Sequence, residues 1–221
     1  MTDYFNFLGL PSVVQDLITE EIVHNSIPED RIELALTSKY CNELVQRARP
    51  KKIIDHFWIW NVSSFAFIAN SREYTKTKEQ LMEILPNCQI KKLHLTNQLV
   101  FSSEDYSEFL DMLSEAARFA TYFGINLYNP VYVNEIVGFY VKLKHLKSVT
   151  VGDPELILPY YPSKVELNCD YGNPPDNFLE DLAEKSQNCP LSFFELDDDM
   201  SLHECQQFLQ VNENTGFFVV D

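Results

Sequence analysis

After residue 50 a short pattern of apolar and polar residues recurs along the chain. Two apolar residues flank one free position, and Asn, Asp or Cys follows one position later. Alternating apolar residues predict a short strand with one buried face, and the closing polar residue can hydrogen-bond the backbone where the chain turns. The copies are FWIWN at 57–61, LHLTN at 93–97, INLYN at 125–129, VTVGD at 149–153, VELNC at 165–169, FELDD at 194–198 and FFVVD at 217–221.

Helical patterns separate several of these strands. They cover 71–85, 102–120, 176–187 and, more briefly, 201–210, with Ser102 or Ser103 as a suitable N-cap for the second. Strands that alternate with helices predict a parallel sheet joined by crossover connections. The copies are unevenly spaced, and the 16 residues between the fourth and the fifth leave no room for a helix.

An additional apolar residue stands three places before four of the copies, at Ile54, Ile90, Leu146 and Leu191. The resulting I-x-x-L-x-L form resembles the leucine-rich repeat, L-x-x-L-x-L-x-x-N/C. We therefore expect an α/β chain in which residues 51–221 form an irregular leucine-rich-repeat-like solenoid. The resemblance implies short parallel strands with helices on the convex side. Some other α/β sheet is the alternative that the pattern leaves open.

In a repeat of this kind the free positions lie on the concave face. Aromatic residues at one end and carboxylates toward the other would suit a protein ligand that has an apolar anchor and basic residues. Packing of the tryptophans against the N-terminal helices and a merely solvated acidic face are the alternatives. The expected partner-binding residues are Trp58, Trp60, His94, Asn126, Tyr128, Thr150, Glu166, Glu195 and Asp197.

The first 50 residues lack the strand pattern and instead predict three short helices. Apolar residues recur at helical spacing in three groups, from Val14 to Ile22, from Ile32 to Leu36 and from Cys41 to Ala48. Helices this short bury little area. Such a block needs either a neighbouring domain or a partner protein for its apolar side chains.

Leu10-Pro11 opens the first of these helices, and LALTSKYCNELV at 34–45 closes the block. Together they resemble the F-box, which typically begins with Leu-Pro and ends in an L-x-x-x-S-K-x-W-x-x-L-like segment; the aromatic residue expected after Ser-Lys is Tyr40 here instead of tryptophan. The resemblance covers residues 4–50. It implies binding to a Skp-type adaptor through Leu10, Pro11, Val14, Leu17, Ile18, Leu34, Leu36, Tyr40 and Leu44.

The two resemblances imply a substrate-recruiting subunit of a Skp/cullin/F-box ubiquitin ligase, with an unknown protein substrate on the repeat domain. The alternative is a repeat-type interaction scaffold whose N-terminal helices only cap the solenoid. The chain contains no GxSxG, HExxH, GxxxxGK[ST] or GxGxxG motif, and its five histidines lack metal-ligand spacing. We therefore expect no enzymatic activity, cofactor or metal, and an α/β enzyme is the third class considered.

The charge distribution indicates which classes of partner the chain does not bind. The net charge is −16, and residues 151–221 contain 2 basic and 15 acidic residues. Such a surface repels phosphate backbones and anionic lipids, so we expect neither nucleic-acid nor membrane binding. The absence of a long apolar run, an acidic residue near the start and five cysteines without a CxxC pair predict an intracellular chain, cytoplasmic and/or nuclear, with reduced thiols.

Overall fold

The fold is α/β, as the sequence predicts. The computed structural model describes residues 6–61, 64–96, 103–126, 133–152, 156–168, 178–186, 189–197 and 218–220. Within these ranges the chain forms seven α-helices and one nine-stranded sheet. None of the helices in the described ranges combines the length and the apolar character that a membrane span requires.

Three helices precede the sheet, after a 3-10 turn at Phe7–Gly9. They are α1 (Ser12–Asn25), α2 (Pro28–Thr37) and α3 (Lys39–Arg47). Pro28 occupies the first helical position of α2, where its missing N–H costs nothing. Ser38 separates α2 from α3 and caps α3, because its Oγ accepts a hydrogen bond from the Cys41 amide at 3.1 Å. The stretch LALTSKYCNELV is therefore two helices joined at a cap.

The sheet combines an antiparallel hairpin with parallel strands in chain order. Its order is β3-β2-β1-β4-β5-β6-β7-β8-β9, and only β2 and β3 run antiparallel to their neighbours. The strands are β1 (Lys52–Asn61), β2 (Ser64–Ala69), β3 (Arg72–Lys76), β4 (Cys88–Thr96), β5 (Tyr122–Asn126), β6 (Ser148–Val151), β7 (Lys164–Asn168), β8 (Phe193–Asp197) and β9 (Phe218–Val220). The later helices are α4 (Lys78–Ile84), α5 (Ser103–Ala117), α6 (Val133–Tyr140) and α7 (Phe178–Lys185).

The helices α4 to α7 cover one face of this sheet and form the core with it. Phe109 of α5, Phe139 of α6 and Phe178 of α7 are each at most 1% exposed and join the strand residues in one apolar cluster. Between β6 and β7, where the sequence leaves no room for a helix, an irregular segment at 156–163 fills the same layer. Its Leu158 and Tyr161 are buried in that cluster. The opposite face of the sheet carries no helix among the described residues.

The helix expected over 71–85 is wrong in its first half. Arg72–Lys76 is strand β3, and the helix begins only after Thr77, whose side chain and Gln80 form a capping box. The overlooked signal is the apolar alternation at Phe65 and Phe67, which makes β2 and gives β3 a partner. Helix α6 was also missed, although its Ile136, Phe139 and Tyr140 have helical spacing. The helix expected over 201–210 lies outside the described residues.

The strand register corrects two of the sequence copies. The copy expected at 125–129 is displaced by two residues, because the strand is Tyr122–Asn126 and its buried apolar pair is Phe123 and Ile125. In the last copy, FFVVD, the free position is Phe218, and the pattern aligns it with Glu195, the free position of FELDD. The structure instead pairs Glu195 with Val219. Short patterns of this kind recur by chance within one strand, so only the pairing with neighbours fixes the register.

The turn between β2 and β3 contains Asn70 and Ser71, both with positive φ, at 51° and 60°. A two-residue hairpin of this geometry favours glycine or asparagine, and a serine is strained there. We expect Ser71→Gly to raise the free energy of unfolding by about 1 kcal/mol, measured by urea denaturation. The matched control, Ser114→Gly within α5, should lower it by about 0.5 kcal/mol; stabilisation by both changes would contradict the strained turn.

Candidate functional site

Helix α1 is inverted relative to an ordinary amphipathic helix. It buries Gln15 and Thr19 together with Val23, while Val13 and Leu17 are 67% and 60% exposed. Apolar side chains normally occupy the buried side of a helix that packs on a core. The helix α1 therefore exposes Val13 and Leu17 while it buries two polar side chains.

Hydrogen bonds compensate the burial of these polar side chains. The Gln15 Nε2 donates to the carbonyls of Leu10, at 2.7 Å, and Leu8, at 3.3 Å, and its Oε1 accepts from the Tyr40 hydroxyl at 2.6 Å. The Thr19 hydroxyl donates to the Gln15 carbonyl at 2.7 Å. A satisfied buried amide costs far less than an unpaired one. Gln15 thus holds the turn before α1 against the beginning of α3.

Exposed apolar side chains are concentrated on this module. Among the described residues, ten large apolar side chains are at least 37% exposed, and seven of these belong to the N-terminal turn and helices. Exposed apolar side chains in such number are available for contact with another molecule. The N-terminal apolar surface consists of Leu8, Val13, Val14, Leu17, Ile32, Leu36 and Tyr40.

A shallow groove of about 470 Å³ lies on this surface where α2 meets α3. Ile32, Ala35 and Leu36 supply its apolar wall, and Leu36 is 79% exposed. Ser38 and Lys39 contribute polar groups to its lining. An apolar centre with polar groups around it is typical of a protein contact surface.

The residues expected to face an adaptor divide into three groups. Pro11, Val14, Leu17, Leu36 and Tyr40 are exposed, and Leu10, Ile18 and Leu34 are partly buried. Leu44 is only 1% exposed, so it supports the module from within and does not reach a partner. The sequence analysis did not include Leu8, Val13 and Ile32, because apolar spacing alone does not tell which side of a helix is exposed.

Polar contacts join the helical module to the sheet. The Arg31 Nη2 donates to the Lys51 carbonyl at 2.6 Å, and the Gln89 Nε2 donates to the Ser26 carbonyl at 3.2 Å. Arg118, just after α5, donates to the Asn25 Oδ1 at 3.0 Å. The module therefore lies against the amino-terminal ends of β1 and β4. The hairpin strand β3, and not a helix, forms the edge of the sheet on this side.

The side of the sheet opposite α4 to α7 presents a row of aligned residues, which we call the open face. Trp58, His94, Thr150 and Glu166 are each flanked along their strands by two buried apolar residues, as the sequence pattern predicts. The pairing places one residue from each successive strand side by side. The row reads Trp58, His94, Gly124, Thr150, Glu166 and Glu195.

Three side chains of the open face form a hydrogen-bond chain across β5, β6 and β7. The Tyr122 hydroxyl donates to the Thr150 Oγ1 at 3.0 Å, and the Thr150 hydroxyl donates to the Glu166 Oε2 at 2.8 Å. Burial is the main cause that raises the pKa of Tyr122, and the charge of Glu166 acts in the same direction. The tyrosine is therefore a neutral donor, and Glu166 lies opposite Glu195 of β8.

Two glycines leave room for open-face side chains. A Cβ at Gly124 would clash with the His94 ring, and one at Gly152 would clash with the Asn126 amide. Gly124 therefore lets the His94 ring extend over β5. Burial there lowers the pKa of His94 below its usual value of 6.5. The row thus has aromatic rings at Trp58 and His94 and carboxylates at Glu166 and Glu195.

The lowered pKa of His94 predicts a pH dependence of stability. The unfolded chain protonates this ring near pH 6.5, whereas the folded chain resists protonation, so stability falls as the pH drops through 6.5. We expect His94→Gln to reduce the loss in free energy of unfolding between about pH 7.5 and about pH 5.5. Denaturation midpoints at the two pH values measure it. Equal losses in the variant and the wild type would contradict the burial of the ring.

The expected partner residues of the sheet are partly brought together. Trp58, His94, Thr150, Glu166 and Glu195 lie in the one row. Asn126 is on the same face but pairs with Thr96, two residues beyond the row along the strand, because the β5 register is displaced. The side chains of Trp60 and Asp197, and all of Tyr128, lie outside the described part of the structure.

Trp58 has sheet neighbours on both sides. It is opposite Ala66 of β2 and His94 of β4, and its ring stacks on His56 with 5.3 Å between centroids. These contacts place it within the open face.

Compared with models of known protein families and with curated proteins, the chain matches none of them. In the described ranges, no group of three or more His, Cys, Asp or Glu side chains is arranged to hold a metal ion.

Proposed function

We propose that the chain is a substrate-recruiting subunit of a Skp/cullin/F-box ubiquitin ligase. Residues 4–50 would be the F-box-like module that binds a Skp-type adaptor, and residues 51–221 would hold a protein substrate. The observation that carries the proposal is the concentration of exposed apolar side chains on the N-terminal helices.

The inverted helix α1 supports a docking role for the module. Burying a leucine-sized side chain contributes about 1.5 to 3 kcal/mol, and α1 forgoes that gain at Val13 and Leu17. A partner that covers the N-terminal apolar surface would recover it. The Gln15 hydrogen bonds hold the surface in place before binding, which reduces the entropy cost of association.

The capping alternative is favoured less by the topology. A helical cap would have to cover the edge strand of the sheet. On the side near the helices that edge strand is β3. The helices instead contact the amino-terminal ends of β1 and β4 through Arg31 and Gln89. Because the helices contact these strand ends, the N-terminal apolar surface is not needed to cover the sheet edge.

The leucine-rich-repeat-like character of residues 51–221 is part of the proposal. Its support is the run of parallel strands in chain order, with helices on one face and an aligned row on the other. The open face would be the substrate side. Trp58 on β1 offers an aromatic anchor. Glu166 and Glu195, which are opposite each other on β7 and β8, suit a basic residue of the bound protein.

Amide hydrogen exchange, measured with and without a Skp-type adaptor, tests the proposal. We expect the adaptor to slow exchange between Leu10 and Leu44, because these amides would lie under the contact. The amides of β4 to β8 serve as the internal control and should be unchanged. An exchange pattern unaltered by the adaptor, or altered only in the sheet, would contradict the proposal.

A further inference from the structure

A separate cavity of about 520 Å³ lies between the β2–β3 hairpin, the beginning of β1 and the end of α4. Its volume is within the range of about 300 to 1,000 Å³ that small-molecule sites occupy. Ile54, Phe67 and Cys88 line it and are at most 7% exposed, so they form its floor. Burial raises the pKa of the Cys88 thiol, which keeps this floor uncharged.

One wall of the cavity is aromatic, and it is formed by Tyr74, whose ring contacts Phe67 of the floor. The rings of Phe67 and Tyr74 stack with 5.3 Å between centroids and 22° between planes. Tyr74 is 39% exposed, so its ring is open to another molecule. Ile84, at the end of α4, forms part of the lining as well. A flat aromatic body would find both stacking and apolar contacts here.

The polar part of the lining is basic in an otherwise acidic chain. Lys52 and Lys76 line the cavity, against Glu83 as the one acidic residue of the lining. Neither lysine forms an ion pair with any residue that the structure describes. The lining therefore has a net charge of +1, whereas the whole chain has −16. A lysine beside an apolar wall can bind the anionic group of a partly desolvated ligand.

We propose that this cavity binds a small carboxylate with an aromatic body. The carboxylate would contact the Lys52 and Lys76 ammonium groups, and the ring would lie against Tyr74 above the Phe67 floor. The site is independent of adaptor docking, since none of its lining residues belongs to the N-terminal apolar surface or to the row of the open face. Occupancy would join β3 to the end of α4 and stabilise that edge of the sheet.

Calorimetric titration of the full chain with 2-naphthoate, and separately with the neutral 2-naphthamide, tests the charge requirement. We expect saturable one-to-one binding of the carboxylate and about tenfold weaker binding of the amide, because the amide lacks the charge-assisted contact. No saturable binding of 2-naphthoate up to its solubility limit would overturn the proposal. Equal affinity for the two compounds would overturn it too.

Variants locate the site. The double variant Lys52→Gln/Lys76→Gln should weaken 2-naphthoate binding at least about tenfold and leave 2-naphthamide binding nearly unchanged. Lys92→Gln is the matched control, since Lys92 is exposed on β4 and outside the cavity lining. Equal weakening by the control would overturn the assignment. Ala69→Leu, which fills the cavity, should weaken both ligands, and the lysine variants remain informative should it fail to fold.

Discussion

Replacing Leu17 and Leu36 together by aspartate is expected to weaken binding to a Skp-type adaptor by at least about a hundredfold. The two side chains are 60% and 79% exposed and lie in the centre of α1 and near the end of α2. A charge buried at a contact surface without a partner costs several kcal/mol. The folded chain itself loses little, because neither side chain belongs to the core. Calorimetric titration with the adaptor measures the effect.

Val141→Asp is the matched control for this double variant. Val141 is 39% exposed in the turn after α6, so the change has the same chemistry far from the helical module along the chain. We expect its adaptor affinity to equal that of the wild type. All variants should unfold within about 0.5 kcal/mol of the wild type in urea. Undiminished binding by the Leu17→Asp/Leu36→Asp variant would contradict adaptor docking on this surface.

Phe123→Ala is expected to lower the free energy of unfolding by about 3 to 5 kcal/mol. Phe123 is 0% exposed, and its ring lies 5.8 Å from that of Phe139 and 5.9 Å from that of Tyr140 between centroids. Truncation would remove the apolar contacts and leave a cavity between β5 and α6. Urea denaturation with a constant m-value measures the change.

The adjacent Tyr122→Ala provides the control for strand register. Tyr122 is on the open face and its main polar contact is the hydrogen bond to Thr150, so its loss should cost about 1 to 2 kcal/mol. The large effect at 123 and the smaller one at 122 follow from the side chains alternating across β5. The reverse order would contradict the register that places Phe123 in the core.

The alternation of apolar residues predicted much of the sheet correctly. Pairs such as Leu93 and Leu95, or Val165 and Leu167, are at most 2% exposed and mark a buried face without ambiguity. The pattern failed at β5, where Ile125 could pair with either Phe123 or the residue two places later. Local sequence cannot decide between these pairs, because the decision comes from hydrogen bonding to β4 and β6.

Strand β3 and the buried side of helix α1 could not be predicted from the apolar pattern alone. Strand β3 is exposed along almost its whole length, so it shows no buried stripe, and its conformation comes from pairing with β2. In α1 the apolar spacing predicts a helix correctly but says nothing about which side is buried. The buried side is set by Gln15, whose amide meets two carbonyls and the Tyr40 hydroxyl. Polar interactions of this kind depend on tertiary contacts.

Polar contacts fix the position of the N-terminal helices relative to the sheet. They include a hydrogen bond from Arg31 to the Lys51 carbonyl and an ion pair at 3.4 Å between Lys91 and Glu29. Burial lowers the pKa of Arg31. An arginine that is 4% exposed and hydrogen-bonded to the backbone fixes a geometry more firmly than a flexible linker would. On the proposed function, a substrate on the open face would therefore be held at a defined position relative to the adaptor.

The proposed binding of a Skp-type adaptor by the N-terminal helices can be measured by calorimetric titration of the wild-type chain with the purified adaptor. We expect one-to-one saturable binding with a negative heat-capacity change when the titration is repeated at several temperatures, because apolar surface would be buried. A folded chain that gives no binding heat at any temperature, and that elutes separately from the adaptor on size exclusion, would contradict it.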